Sequence, residues 1–429
     1  MSNSKSATGP TSLKNQIAHA VFEKRREVWD WFESRFRETP PAFYCSVDLR
    51  DSGDKIAPVD CNLFPAGFNN ICEIDLGCAP AIFKDQIGKI AGILGSTVPE
   101  KILIVPENHT ENRFYLENLH HLARILEEAG FETAFGRYGA DPQEYTLKSA
   151  SEQTIHEYPL LIVNGRATLS NGFNPDWILL NNDFSAGRPD GLFGLSQPVM
   201  PSPELGWFKR KKSDHFKHYN LLAGEFAQMI GIDPWRIQIG SSPIDGVDFG
   251  TDAGLDRVIS ESERMLDSVK AEYAKRGMER KPALFIKNDS GTYGMGIMVI
   301  HSIEELKTMN RRTRNKMSMG KNKSRIDRVL IQEGIPTTLT TDGSTSEPVV
   351  YMMGSELIGG FIRANSERDD MDNLNSQGMF FKKLCFKDLS DSLNDGNSEE
   401  FPHLEAVYGV IGKLSALAAA RELRDTQGK

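Results

Sequence analysis

Lys287 closes an apolar run just ahead of a loop carrying Gly291, Gly294 and Gly296, in the stretch ALFIKNDSGTYGMGIMVI. Two strands joined by such a loop can lay bare backbone N–H groups against phosphate oxygens. Glycine suits the task because a Cβ would hold the phosphate away. The lysine adds a point charge to the same oxygens, and Ser290 joins the candidate phosphate set. The GxxxxGK[ST] pattern of a P-loop is absent, and Ile297–Ile300 reads as a strand rather than a helix. An ordinary glycine-rich hairpin is the competing explanation.

Three further pieces bear on that loop. In VLIQEGIP a strand leads into Gln332, Glu333, Gly334 and Ile335. An adenine ring needs a backbone donor and acceptor at its edge, and a neighbouring carboxylate can hold ribose hydroxyls. Lys217, in DHFKHYNLLAGEF, is a basic residue near the start of a predicted helix. The stretch SVDLRDSGDKIAPVDCN carries Asp48, Asp60 and Asn62. Asp60 and Asn62 lie two apart on a predicted strand, so both point to one face. Oxygen donors on adjacent strands suit a hard octahedral ion such as Mg²⁺, which also takes nucleotide phosphate oxygens. A polar sheet face with turn carboxylates would give the same pattern.

These residues need elements to hold them, and a chain of 429 residues is long enough for two or three domains. A formal charge of −9 gives no general pull toward nucleic acid or anionic membrane. The polar N-terminus lacks the core of a secretory signal, and Ala79–Leu94 is interrupted by Lys84, Asp85 and Lys89, so no bilayer span is expected. The five cysteines, Cys45, Cys61, Cys72, Cys78 and Cys385, form no CxxC pair. They are expected to be reduced thiols of a cytoplasmic protein.

Residues 1–12 read as disordered. Leu13–Arg37 reads as one amphipathic helix, and Phe43–Leu49 and Lys55–Asn62 as strands. Gln86–Leu94 reads as a short helix. Lys101–Pro106, Phe131–Phe135 and Leu160–Val163 read as strands around a helix at Glu111–Ala129, an alternation that suggests a parallel sheet. Asp214–Ile230 and Leu255–Arg276 read as helices. Arg311–Arg328 contains eight Lys/Arg but lacks aromatic residues for base stacking, so a solvated, mobile loop is expected. Val329–Gln332, Pro348–Met353 and Leu357–Arg363 read as strands, Leu389–Glu400 as a loop and Glu405–Arg424 as an amphipathic helix.

Taken together, the pieces resemble the ATP-grasp ligases, glutathione synthetase most of all. FIKNDSGTYGMG matches the second lysine and glycine loop of that family, GGFIRAN its arginine strand, NLNSQG its asparagine turn, and DLRDSGDKIAPVDCNLFPAG its metal strands. More narrowly, VDLRDSGDKIAPVDCNLFPAGFNNI and KHYNLLAGEF resemble the proteobacterial type of glutamate–cysteine ligase. The order is permuted: the metal strands stand near the start, and the helix that usually precedes them ends the chain.

The resemblance implies a mixed α/β (α+β) ATP-grasp fold whose core is closed by the N- and C-terminal segments, plus an α/β pre-ATP-grasp-like domain. It implies a large subdomain from 13–95 with 340–429, a substrate domain at 96–212, and a small subdomain with central helices at 213–339. It implies an ATP-dependent ligase that joins the γ-carboxyl of glutamate to the amine of cysteine, the first step of glutathione biosynthesis. ATP would be held by Lys217, Lys287, Ser290, Gly291, Gly294, Gly296, Gln332, Glu333 and Ile335, and Mg²⁺ by Asp48, Asp60 and Asn62. Arg363 would meet the transferring phosphoryl or acyl oxygen, and Arg50, Asn69, Asn70 and Asn373 the glutamate. Asp60 departs from the family's usual glutamate, which puts a bridge between two metals in doubt. His109, His120 and His121 are expected to be structural or solvated. A ligase for another amino acid or peptide, and a nucleotide-binding regulator without turnover, remain alternatives. Small-molecule partners are expected, with no nucleic acid and no membrane; a homo-oligomer is left open.

Overall fold

The computed structural model describes residues 12–108, 111–291, 296–319, 326–386 and 404–428. The expectations for residues 1–11, His109, Gly294 and Leu389–Glu400 lie outside them. Three sheets organise the rest, giving a mixed α/β architecture.

The large antiparallel sheet runs Met379–Leu384, Glu356–Asn365, Ser344–Met353, Tyr44–Asp51, Ile56–Asn62. Its centre therefore joins the two ends of the sequence: Tyr44 is opposite Met353 and Asp48 opposite Val349. Alternation along the strands divides the sheet into two faces. Val47, Leu49, Cys61, Val350 and Met352 point into one core, where Leu414, Leu417 and Ala418 of the C-terminal helix (Val410–Thr426) meet them. A π-helical turn, Glu405–Gly409, leads into that helix. Its Tyr408 hydroxyl donates to Asp51 at 2.7 Å, and Lys14 of the first helix reaches the same carboxylate at 3.0 Å.

The opposite face carries Tyr44, Val349, Tyr351 and Phe361. They pack on helices Glu73–Leu94 and Arg113–Glu128. Gly359, at φ +139°, permits this approach, since a Cβ there would fall 2.6 Å from Ile71 Cγ2. The second helix belongs to a largely parallel sheet, centred on Glu132–Arg137, Lys101–Pro106 and Trp177–Asn181. The third sheet is small and antiparallel: Ser241–Asp245, Arg328–Glu333, Leu284–Asn288, Ile297–Ile300. One face packs Leu284, Ile286, Val329 and Ile331 against helix Asp252–Lys275. Leu330, on the other face, meets Ala57, Phe216, Ile239 and Ile335 where the two antiparallel sheets adjoin.

Several local expectations are corrected. Leu13–Arg37 is two helices, Leu13–Glu23 and Arg25–Glu38, broken at Lys24. The helix expected from Gln86 begins at Glu73 and runs through Pro80. The basic segment is not a loop throughout, because Arg311–Met317 is helical with Asn310 as its cap. Two cysteines are not free thiols: Cys72 and Cys385 are bonded, with Cα atoms 5.2 Å apart, while Cys45, Cys61 and Cys78 are free. Lys383 Nζ donates to Ile71 O at 2.9 Å and Phe386 N to Asp75 Oδ2 at 3.0 Å, which brings the pair together across 313 residues of sequence. Among the described residues, no helix is long and apolar enough to cross a membrane.

Leu414 is fully buried between the C-terminal helix and the large sheet. Leu414→Ala should cost about 2–5 kcal/mol of unfolding free energy by lost burial and a residual cavity. Urea unfolding measures this, and a loss below about 1 kcal/mol would contradict the packing described.

Candidate active site

The two antiparallel sheets face each other across a cleft. Its floor is the polar end of the large sheet. Asp48 pairs directly with Asp60, and Ser46 with Asn62, so Asp48, Asp60 and Asn62 share one face, as their spacing predicts. A register shift between Asp48 and Leu49 marks this end of the strand pair. Glu347 and Arg363, directly opposite each other on the next two strands, complete the floor.

Buried carboxylates at this spacing need cations. Arg363 Nη1 donates to Asp48 Oδ2 at 2.7 Å and Glu347 Oε1 at 2.8 Å. Burial opposes the guanidinium charge, but the two carboxylates outweigh it and raise its pKa. Burial also raises the Asp48 pKa, against the pull of Arg363. Burial pushes Asp60 the same way, yet Lys212 and Lys287 more than offset it and hold its carboxyl below the usual range. Lys212 Nζ is hydrogen-bonded to Asp60 Oδ1.

The roof is the small sheet. Lys287 and Phe285 both line the cleft, being two apart on one strand. Lys287 Nζ donates to Gln332 Oε1 at 2.6 Å and to Val59 O at 3.0 Å. Its burial lowers the ammonium pKa to about 8, with Asp60 opposing. Gly291 lines the cleft, and Gly296, at φ +66°, adopts the left-handed backbone that favours glycine where the loop rejoins the sheet.

The third wall is the N-terminus of the central helix, Lys212–Ile230. Buried Asp289 fixes it. Its carboxylate accepts from Ser213 N at 2.8 Å, Ser213 Oγ at 2.7 Å and Arg328 Nε at 2.6 Å, and its carbonyl accepts from Lys212 N at 2.8 Å. A carboxylate beside a helix N-terminus is also favoured by the helix dipole. Ser290 accepts from Lys211 Nζ at 2.7 Å and donates to Arg210 O at 3.1 Å. The glycine-loop entry and the helix start are thus one connected unit.

The structure brings most of the sequence-derived candidates together, but not all. Asp48, Arg50, Asp60, Asn62, Lys287, Gly291, Arg363 and Asn373 line the cleft. Arg50 is occupied by Glu347 at 2.6 Å and by the carbonyls of Asp370 at 2.7 Å and Asp372 at 2.5 Å, so it holds the turn bearing Asn373 and Asn375. Lys217 is exposed on the outer side of its helix, and Lys212 stands in the cleft in its place. Glu333 turns away from the cleft and pairs with Lys55, both carboxylate oxygens at 2.7 Å. Ile335 is buried in the apolar contact between the sheets. Asn69 and Asn70 form a short turn beside Arg113–Glu128, outside the cleft lining. His121 is half-buried, and burial lowers its pKa to about 4. Sequence reasoning missed Lys212, Glu347, Asn288 and Asn375. Asn375 lies inside the quoted NLNSQG turn, whereas Lys212 and Glu347 carry no local signal.

Two buried donors in this region have no partner among the described residues, Gln332 Nε2 and Arg363 Nε. Donors of that kind are costly unless something accepts from them. Among the described residues, no group of three His, Cys, Asp or Glu side chains is set to hold a metal ion. The oxygen donors of Asp48, Asp60 and Asn62 fit Mg²⁺ by type, though here the two carboxylates are paired with cations.

Residues 18–423 match the family model described as glutamate-cysteine ligase. No curated protein matches the chain in the corresponding sequence comparison. Among solved structures, a Methylobacillus flagellatus protein assigned as a gamma-glutamylcysteine synthetase is 34% identical, with a TM-score of 0.86 over 97% of this chain and 99% of that one. A glutathione synthetase-like effector from Globodera pallida matches at 10% identity and TM-score 0.38, covering 82% of each chain. D-alanyl-alanine synthetase A from Vibrio cholerae matches at 9% identity and TM-score 0.30, over 59% of this chain and 68% of that one. The last two likenesses carry no argument. The chain belongs to the glutamate-cysteine ligase family.

The geometry separates two lysines that lie five residues apart. Lys212→Met should lower turnover by roughly 100-fold through loss of a cation at the reacting charges, while Lys217→Met should stay within about twofold of the parent, as for an exposed side chain away from the site. Steady-state kinetics of the two variants decides, and the reverse ranking would remove Lys212 from the site.

Proposed function

We propose that the chain joins the γ-carboxyl of glutamate to the amine of cysteine at the expense of ATP, through an acyl phosphate formed in this cleft. Family membership over residues 18–423 supports the ligase activity and its place in glutathione synthesis. The structural observation that carries the mechanism is the convergence of Lys212, Lys287 and Arg363 around one cleft, with the orphaned donors Arg363 Nε and, behind Lys287, Gln332 Nε2. Each is suited to oxygen or ring-nitrogen acceptors of a nucleotide and a carboxylate.

In the first half-reaction a γ-carboxylate oxygen attacks the terminal phosphorus of ATP, the bond to the bridging oxygen breaks, and ADP leaves. The chain contributes position and charge rather than covalent chemistry. Lys287 and the backbone at Gly291 lie where phosphates would meet the roof, and Lys212 neutralises from the helix wall. Arg363, with a planar fork and one Nε–H to spare, is placed to hold the oxygens of the transferring group. Gln332 would release Lys287 and offer its amide to the adenine, and the backbone of Glu333–Ile335 would edge the ring.

In the second half-reaction the cysteine amine attacks the acyl carbon, the tetrahedral oxyanion is stabilised by the same cations, and the acyl C–O bond breaks with its electron pair going to phosphate, which leaves with the proton given up by the nitrogen. Asn373 and Asn375, on the turn held by Arg50, are the amides nearest to glutamate recognition. Mg²⁺ would be held by Asp48, Asp60 and Asn62, and would neutralise phosphate charge.

We also infer a permuted ATP-grasp arrangement. The pairing of Tyr44–Asp51 with Ser344–Met353, and the C-terminal helix packed on both, support a large subdomain drawn from both ends of the chain, 13–95 with 340–429. The residues 96–212 and 213–339 correspond in this reading to a substrate domain and to the small subdomain with its central helices.

Phosphate release should require ATP, glutamate and cysteine together, with the dipeptide identified by mass. Asn62→Ala should cut this rate by roughly 100-fold or more, the equivalent of several kcal/mol of lost charge neutralisation, while circular dichroism stays unchanged. Turnover with an unrelated amino acid in place of cysteine at equal efficiency would displace the acceptor assignment. Near-parental activity of Asn62→Ala would displace the metal assignment.

A further inference from the structure

Beneath the cleft floor, and outside its lining, lies a cluster of buried charges that the mechanism above does not use. Glu422, on the C-terminal helix, is 5% exposed. Its Oε2 accepts from Arg210 Nε at 2.8 Å, and its Oε1 from Arg210 Nη2 at 3.1 Å and is 2.6 Å from His215 Nδ1. The remaining arm of Arg210, Nη1, donates to Cys61 O at 2.7 Å. That carbonyl sits between Asp60 and Asn62. The Arg210 carbonyl in turn accepts from Ser290 at the entry to the glycine loop. Arg210 and Lys212 both lie over the Trp207 ring, at 4.8 and 4.7 Å.

Packing alone does not call for these charges. The C-terminal helix already buries Leu414, Leu417 and Ala418 against the sheet, and apolar residues of similar volume are often as stable as a buried ion pair or more so. Apolar side chains lack direction, however. A guanidinium fork that engages one carboxylate with two nitrogens and a strand carbonyl with the third fixes the relative placement of helix, strand and loop. Burial works against Glu422, but Arg210 and His215 outweigh it and hold its pKa at about 2. Burial likewise opposes the His215 imidazolium, and the Glu422 carboxylate beside it favours it; the neighbouring Cys61 thiol, which burial holds well above its usual range, stays neutral.

We propose that Glu422 and Arg210, with His215, are positioning residues that set the Asp60–Asn62 strand edge and the Lys211–Lys212 segment at the spacing phosphoryl transfer needs. The proposal rests on the ligase reading of the cleft.

The test compares Glu422→Gln, the double variant Arg210→Met/Glu422→Met, and Leu414→Ala as a control that destabilises the same helix without touching the cluster. Wild-type turnover with ATP, glutamate and cysteine is measured first, and its absence would defeat the ligase reading itself. Binding of a non-hydrolysable ATP analogue with Mg²⁺ is measured by calorimetry on every variant, which keeps the positioning claim testable apart from turnover. The expected result is a drop in kcat of at least tenfold in Glu422→Gln and in the double variant. KM for glutamate and cysteine should change less than about threefold, and analogue affinity should weaken several-fold. The double variant should melt at or above the wild-type temperature, and Leu414→Ala should keep its kcat at temperatures where it is folded. Wild-type kcat and analogue affinity in folded Glu422→Gln would overturn the proposal. So would a kcat loss that follows melting temperature across all three variants. Should the double variant fail to fold, the same two readouts on Glu422→Gln decide.

Discussion

Two carboxylates stand opposite each other, the buried Asp48 and the half-buried Asp60, paired across neighbouring strands of one sheet. Like charges so placed repel, and burial penalises both. The cleft can be understood as the set of cations that makes this tolerable. Arg363 comes from the far side of the same sheet, Lys287 from the small sheet and Lys212 from the central helix. No one of these elements is near the others in sequence. Holding all three against the acidic pair therefore fixes how the two antiparallel sheets and the helix are arranged. The opposite shifts of the two carboxyls, Asp48 upward and Asp60 downward, follow from unequal shares of that compensation. A further carboxylate, Glu347, takes part of the Arg363 charge away from Asp48.

What the sequence made legible is what depends on local period. The shared face of Asp60 and Asn62 follows from strand alternation, and so do the placement of Lys287 ahead of its loop and the apolar seam of the C-terminal helix. What it concealed depends on distant partners. The central helix starts at Lys212 rather than Asp214 because Asp289, 76 residues away, satisfies its first amides. Five residues correspond to roughly 140° of helical rotation beyond a full turn, which is why Lys217 faces outward when Lys212 faces in. Gln332 and Glu333 are adjacent on a strand and so cannot serve the same face; Gln332 meets the Lys287 ammonium and Glu333 the Lys55 ammonium. The helix through Pro80 was hidden by residues of low helix propensity, Gly77 and Pro80, that tertiary packing overrides. The pairing of Cys72 with Cys385 has no sequence signal at all.

The contact between the two antiparallel sheets combines a thin apolar layer with a few strong polar ties. Ala57, Phe216, Ile239, Leu330 and Ile335 form the layer. The Lys55–Glu333 pair, with the Lys55 ammonium 4.1 Å from the Trp235 ring centroid, closes one end. Lys287 bonded to Val59 O closes the other. The second tie is made by a residue that a nucleotide would claim, whereas the first lies away from the cleft. On the proposed nucleotide assignment, binding would act on one end of the contact and leave the other intact, so the two ends are not equivalent supports.

The closing of the large sheet by both ends of the sequence has a consequence for synthesis. Asp48 finds Arg363 at a separation of 315 residues, and Asp51 finds Tyr408 at 357. Contacts of such range are slow to form because chain entropy must be given up before any of them is gained. On the ribosome Asp51 can meet Lys14 at once and Asp60 can meet Lys212 midway, but Asp48 emerges with its arginine partner, Arg363, still to be made. The early segment must wait as an unpaired edge, shielded by its own helices or by other factors. A ribosome stalled at residue 300 would thus display most of this protein's sequence and none of its finished active site.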